Sequence, residues 1–213
     1  MIEKEEWYIF DNYATDYSNI LIKEKVKNFI KQYNNNYIFI FGPRGVGKTH
    51  LIRSVIRNLS RKDIILYNSI NEYPPLRKAE IVILENINFL SAEKLTKTFD
   101  WIKNTKASFL LTYRGDINEQ LNSVLQNKFG SDNSLYIPEP GYELKKGILE
   151  SYIMFYNLAI SSESIDTILS TYNDWPKPIN AIERIVTFAK LTNMELSDVT
   201  IPFIIKELKN KGF

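Results

Sequence analysis

The sequence predicts an α/β protein: an open parallel five-stranded sheet flanked by helices, followed by a small all-helical segment. Three observations carry that expectation. Short runs of β-branched and aromatic residues alternate with stretches of helical spacing. One junction between such a run and a helix holds a glycine-rich loop ending in Lys48-Thr49. Beyond Gly141 the strand-type runs stop, and only helical spacing continues.

Ile20, Leu21, Val26, Phe29 and Ile30 sit among lysines and glutamates at helical intervals, which predicts a helix over 19–33 closed by Asn34-Asn35-Asn36. Tyr37-Ile38-Phe39-Ile40-Phe41 is apolar without alternation, the pattern of a strand covered on both faces. Helical spacing returns over 48–59 through Leu51, Ile52, Val55, Ile56 and Leu59. Further buried strands are predicted at 64–67, 81–84 and 109–112, with a short fifth at 135–137 and helices at 92–103 and 118–127. After Pro138-Glu139-Pro140-Gly141, helices are predicted at 144–156, 162–171, 180–191 and 202–209, with Pro176-Lys177-Pro178 breaking the chain between the second and third. The expected organisation is a nucleotide-binding α/β base over 1–140 and a helical lid over 141–213.

A chain of 213 residues buries a substantial core without staples. Its 27 basic and 25 acidic side chains leave a net charge of +2, so no strong nucleic-acid footprint is written in composition. The absence of cysteine excludes disulfides, thiolate metal sites and a cysteine nucleophile, and a single histidine, His50, excludes a histidine-rich metal centre. The acidic start, Met1-Ile2-Glu3-Lys4-Glu5-Glu6, is unlike a secretory signal, and no apolar run reaches membrane-spanning length. A soluble, cytoplasmic chain with no membrane-spanning segment is the expectation.

Gly42-Pro43-Arg44-Gly45-Val46-Gly47-Lys48-Thr49 fits the phosphate-loop pattern, in the setting that gives the pattern meaning: a strand before it and a helix after it. Glycines let backbone N–H groups converge on phosphate oxygens, and the helix N-terminus adds a favourable dipole. Lys48 is expected at the phosphates and Thr49 at Mg²⁺. Hydrolysis needs a carboxylate at the end of a neighbouring strand, and Glu85, closing 81–84, is the candidate metal and catalytic residue. Asn86 follows where an acid would orient water; it takes no proton, so slow hydrolysis is expected. His50 reads equally well as a packed helical histidine. Arg114 and Lys128 are basic residues placed where a phosphate sensor or a trans-acting finger can sit, or where a solvated charge can.

Phe10-Asp11-Asn12-Tyr13, the run Gly42 to Leu51 with its Gly-Lys-Thr-His-Leu, and Ile83-Leu84-Glu85-Asn86-Ile87-Asn88-Phe89-Leu90 together resemble the AAA+ module of the replication initiator DnaA and its relatives. The ending, Val199 to Leu208, is similar to that of the Hda-type regulatory inactivator of DnaA. The resemblance implies ATP or ADP with Mg²⁺ as ligands. It implies Phe10 and Tyr13 near the adenine, Gly42, Gly45, Val46, Gly47, Lys48, Thr49 and His50 around the phosphates, and Glu85 near the metal. It implies DnaA as partner, with the sliding clamp as a further one; a homodimer stays open as an alternative to a monomer. The family's finger arginine appears here as Lys128-Phe129, and lysine lacks the planar fork that grips a phosphate at two points. No sequence-specific DNA-binding domain is expected.

Three functions follow as alternatives. The first is a regulator that stimulates hydrolysis of DnaA-bound ATP. The second is a helicase-loader-type ATPase acting on a replicative helicase and single-stranded DNA, with Arg53, Arg57, Arg61 and Lys62 as its basic surface. The third is a binding platform with a vestigial nucleotide site.

Overall fold

The structure, a computed structural model, describes residues 4–31, 36–59, 64–67, 81–90, 92–104, 107–116, 131–174 and 176–210. The chain divides into two compact units, one of Tyr8–Glu139 and one of Pro140–Phe213 joined by Met1–Trp7.

In the first unit, β1 (Tyr37–Gly42), β2 (Ile64–Tyr67), β3 (Ile81–Leu84), β4 (Ser108–Arg114) and β5 (Ser134–Tyr136) form one sheet in the order β2-β3-β4-β1-β5. Every pairing is parallel. Four strands make its body, and the three-residue β5 extends its edge beside β1. The helices are α1 (Ile20–Lys31), α2 (Lys48–Asn58) and α3 (Ala92–Asn104).

Strand alternation sorts the side chains onto two faces. Ile38 and Ile40 of β1, Ile81 and Ile83 of β3 and Leu110 of β4 pack with Val26 and Phe29 of α1 and with Leu51, Ile52 and Val55 of α2. Phe39, Val82, Leu84, Phe109 and Leu111 point the other way and pack with Phe99 and Ile102 of α3. Both faces are covered, which is why these strands read as unbroken apolar runs. The same alternation carries a functional consequence. Gly42, Glu85 and Arg114 continue the even or odd series that faces α2, so the chain's polar residues at the carboxyl edge emerge on the α2 side.

The second unit holds α4 (Tyr142–Phe155), α5 (Ser162–Thr171), α6 (Lys177–Thr192) and α7 (Thr200–Asn210). Leu149, Ile168, Ile182, Ile185, Ile201 and Ile204 are fully buried. Trp7 belongs here: its ring meets Tyr152 and Phe155 edge-on, with centroids 5.3 and 5.4 Å away. Ser161 caps α5 by accepting from the Ser164 N–H at 3.2 Å, and Asp198 accepts from the hydroxyls of both serines. The expected break between α5 and α6 is present, with Pro176 at the cap of α6. α6 begins at Lys177 with Pro178 in its first turn, where a missing N–H costs nothing, so the helix starts three residues before the predicted 180. Among the described residues no helix is long and apolar enough to cross a membrane. The helix predicted at 118–127 lies outside the described residues.

Candidate functional site

The loop between β1 and α2 is held by its glycines. Gly42, Gly45 and Gly47 have φ of 146°, 88° and 99°, a region that side-chain-bearing residues enter only with strain. Two of them are also enclosed. A Cβ on Gly42 would lie 2.1 Å from the Ile137 carbonyl oxygen, and one on Gly47 would lie 2.8 Å from Cε2 of Tyr13. Between them Val46 is buried and anchors the loop in the α2-side core. Gly42 is tied across the sheet to β4 by the Gly115 N–H, which donates to the Gly42 carbonyl at 2.9 Å.

Lys48 turns back into this loop. Its Nζ donates to the carbonyls of Gly42 and Pro43 at 2.7 and 2.6 Å, so two of its three donors are satisfied inside the turn. Burial, and secondarily the positive charge of Arg114, push its pKa down to about 8. A cation held under two stresses, lost hydration and a like charge, is stabilised by the arrival of an anion.

Glu85 stands one residue beyond β3 and is 7 % exposed. Its electrostatic surroundings include the Thr49 hydroxyl and the charge of Arg53, one helical turn beyond Thr49 on α2. Burial raises its carboxyl pKa, while the Arg53 charge and the Thr49 hydroxyl act in the opposite sense. One carboxylate and one hydroxyl at this end of the sheet form the sparse oxygen set that suits Mg²⁺, which takes few protein ligands and completes its shell with phosphates and water.

Asn86 next to it has φ 56° and ψ 51°, the left-handed region that asparagine tolerates better than most residues. Its N–H donates to the Thr112 hydroxyl at 3.0 Å, and Asn88 Oδ1 accepts from the Arg114 N–H at 3.4 Å. The segment after β3 is thus sewn onto β4, and Asn86 has a backbone reason to be where it is.

His50 closes the other side of α2. It is buried, and its Nε2 donates to the Ile9 carbonyl at 2.8 Å, which fixes the tautomer with the proton on Nε2. Its ring meets Tyr8 and Tyr13 edge-on at 5.3 and 5.4 Å. Lys23 on α1 donates to the Tyr13 carbonyl at 3.0 Å. Together these contacts strap the segment from Tyr8 to Tyr13 across the start of α2. Phe10 is a core residue of the α2-side cluster, with Lys27 Nζ 5.8 Å from its ring centroid. Burial is also why the Tyr13 hydroxyl ionises only well above the ordinary phenol range.

Burial drives the His50 pKa down to about 4, with the Ile9 bond acting against it. The unfolded chain therefore binds a proton that the folded chain refuses between the ordinary imidazole value, 6.5, and about 4. The His50 contribution is complete above that window and is lost as pH falls through it, up to about 3 kcal/mol. Urea unfolding at pH 7 and pH 4.5 should show this loss in the wild type and a shallower one in His50→Gln, which keeps a donor for Ile9 but does not titrate.

The structure thus brings together Gly42, Gly45, Val46, Gly47, Lys48, Thr49 and Glu85 at one end of the sheet, with Phe10, Tyr13 and His50 packed behind them. Lys128 lies outside the described residues. Arg53, expected in a basic surface cluster, is half-buried on α2 one turn beyond Thr49.

Residues 23–146 match the family described as the ATPase domain predominantly from Archaea. The chromosomal replication initiator protein DnaA of Aliarcobacter butzleri is 25 % identical over 203 residues, covering 83 % of this chain and 46 % of that protein. DnaA of onion yellows phytoplasma is 23 % identical, covering 97 % and 48 % respectively. The chain therefore spans about half the length of the curated relatives it matches. Domain III of Thermotoga maritima DnaA superimposes with a TM-score of 0.73 at 17 % identity, covering 94 % of this chain and 96 % of that one. AMPPCP-bound DnaA from Aquifex aeolicus gives 0.63 at 22 % identity, covering 87 % and 65 %. The Holliday junction branch migration motor RuvB of Thermotoga maritima gives 0.63 at 15 %, covering 94 % and 72 %. The fold is that of the α/β P-loop AAA+ proteins. With the family matched over more than half of the chain and DnaA recurring in both sequence and structure, the chain belongs to that ATPase family and is a DnaA-related AAA+ protein.

Proposed function

We propose that this chain is an ATP- or ADP-binding AAA+ regulator of replication initiation that turns over slowly by itself and promotes the inactivation of DnaA by stimulating hydrolysis of DnaA-bound ATP. The observation that carries the reading is the pairing of an intact phosphate loop with a reduced second motif. Lys48, Thr49 and Glu85 meet at the loop, and the next position, Asn86, has its backbone N–H committed to Thr112 and a side chain unable to accept a proton.

In this reading Lys48 exchanges the carbonyls of Gly42 and Pro43 for phosphate oxygens, and the loop's N–H groups and the start of α2 take the remaining negative charge. Thr49 and Glu85 hold Mg²⁺, which when bound supplies positive charge against the phosphates. His50 keeps the Tyr8–Tyr13 strap in place, so that Tyr13 fills the space a side chain at position 47 would need. Without a water-activating acid at position 86, the chain retains nucleotide as a state rather than consuming it, and DnaA is the partner on which that state acts.

The test is phosphate release from ATP-loaded DnaA on DNA carrying the sliding clamp, with this chain and ADP added. Stimulated release, lost with Lys48→Met, is the expected result. Turnover by the chain alone on the order of one per second would overturn the slow-hydrolysis reading, and no stimulation of DnaA would overturn the inactivator reading.

A further inference from the structure

Two peptide bonds join the compact units, Trp7–Tyr8 and Glu139–Pro140. Each lies on a short path between a wall of the phosphate loop and α4. On the first path, the Trp7 ring is buried against Tyr152 and Phe155 in the last turns of α4. The very next residue, Tyr8, meets the His50 ring edge-on, Ile9 accepts from His50 Nε2 at 2.8 Å, and Tyr13 packs against Gly47. On the second path, the Ile137 N–H donates to the Phe41 carbonyl at 2.8 Å, and the Ile137 carbonyl fills the space that a side chain on Gly42 would need. Only Pro138-Glu139-Pro140-Gly141 separates Ile137 from the start of α4 at Tyr142. Neither path has slack. Consecutive Cα atoms lie about 3.8 Å apart, so Trp7 and Tyr8 cannot draw apart while both rings stay seated. Each proline fixes its own φ and restricts the residue before it, which leaves 137–140 stiff. The two ends of the loop, Gly42 and Gly47, thus lead to the two ends of one helix.

We infer, resting on the nucleotide-binding reading above, that these two tethers make α4 the reporter of the loop, so that a bound nucleoside diphosphate suppresses the local opening of α4. The physical chain is short. Opening of α4 releases the seat of Trp7 at one end and the 138–141 lead at the other, and so loosens the walls of the loop on both sides. A polyphosphate binds the loop only while its N–H groups converge, which needs those walls in place. A ligand that binds the walled loop alone makes every opening that undoes the walls costlier by its own binding free energy. The nucleotide state is thereby displayed on the helical unit, which carries no part of the loop. A chain that holds nucleotide as a state, and turns over slowly, needs such an output.

The experiment is amide hydrogen exchange of the whole chain, read by mass spectrometry, with and without saturating ADP. In the wild type ADP should slow exchange about tenfold or more both in the loop, 42–49, and in α4. A Gly-Ser-Gly-Ser spacer between Trp7 and Tyr8 keeps both anchors and removes only the tension between them. It should leave the loop protected by ADP and cut the protection of the second half of α4, around Tyr152, by about threefold or more. The same spacer between Glu139 and Pro140 should act on the first half of α4, and the two spacers together should abolish the effect of ADP on the helix. Without ADP, α4 should exchange in each spacer variant within about threefold of wild type, because the spacers remove no contact of the helix. A wild type in which ADP protects the loop but not α4, or spacers that leave the α4 response intact, overturns the inference. Faster exchange of α4 in the spacer variants without ADP also overturns it, since the tethers would then be static staples. No protection of the loop itself by ADP overturns the nucleotide-binding reading, and this inference with it.

Discussion

Gly47→Ala should weaken nucleotide binding by about a hundredfold or more, measured by titration with a fluorescent ADP analogue. Two independent penalties fall on the same atom. The backbone at 47 has φ 99°, so any side chain is strained by roughly 1–2 kcal/mol before contacts are counted. The new methyl would also lie 2.8 Å from the Tyr13 ring, which is buried and held by its neighbours. Either the ring or the loop must move, and the loop carries the N–H groups and Lys48. Gly147→Ala is the matched control. That glycine lies inside α4 with open space around its Cβ position, so alanine there should stabilise by about 0.5–1 kcal/mol and leave binding unchanged. Combining Gly47→Ala with Tyr13→Leu should restore part of the affinity, because it relieves the contact but not the backbone strain.

Lys48→Met should separate stability from binding. In the nucleotide-free protein the ammonium is buried, costs hydration, and is offset only by two carbonyl acceptors. Methionine keeps the apolar stem and removes the charge. The free protein should therefore unfold at a denaturant midpoint equal to or above that of the wild type, within about 1 kcal/mol. Nucleotide affinity should fall by about a hundredfold or more, since charge-assisted bonds to phosphate are lost. Destabilisation by several kcal/mol with affinity unchanged would mean that Lys48 is a structural staple, and the loop would lose its place as the site.

Much of the architecture was legible because it depends on short-range patterns. The runs at 37–41, 64–67, 81–84 and 109–112 correspond to the four main strands, since a strand buried on both faces has no polar alternation to hide. The phosphate loop was legible because its glycines and Lys-Thr lie within eight residues. Glu85 was found as the polar residue ending a buried strand. What was not legible depended on partners far apart in sequence. The Ile9 carbonyl that fixes the His50 tautomer is 41 residues away, and the Thr112 hydroxyl that receives the Asn86 N–H is 26 away. Asn86 is instructive: the sequence marks only a missing acid, whereas its left-handed backbone shows that asparagine is also there to make a turn. Pro178 concealed only where α6 begins, because proline stops a helix from the interior but is accommodated in its first turn.

The sequence by itself determined that a strand, a glycine-rich loop and a helix follow one another here, and that the loop is shaped for phosphate, because local backbone freedom and residue order suffice for that. Only the tertiary structure decided what surrounds the loop. Sheet order placed the end of β4 beside β1 and the end of β3 one strand further along, and strand alternation turned Glu85 and Arg114 toward α2. The helical repeat then set Arg53 one turn beyond Thr49 on α2. Charge balance at the site is a property of neighbours in space, and those neighbours are assigned by the fold.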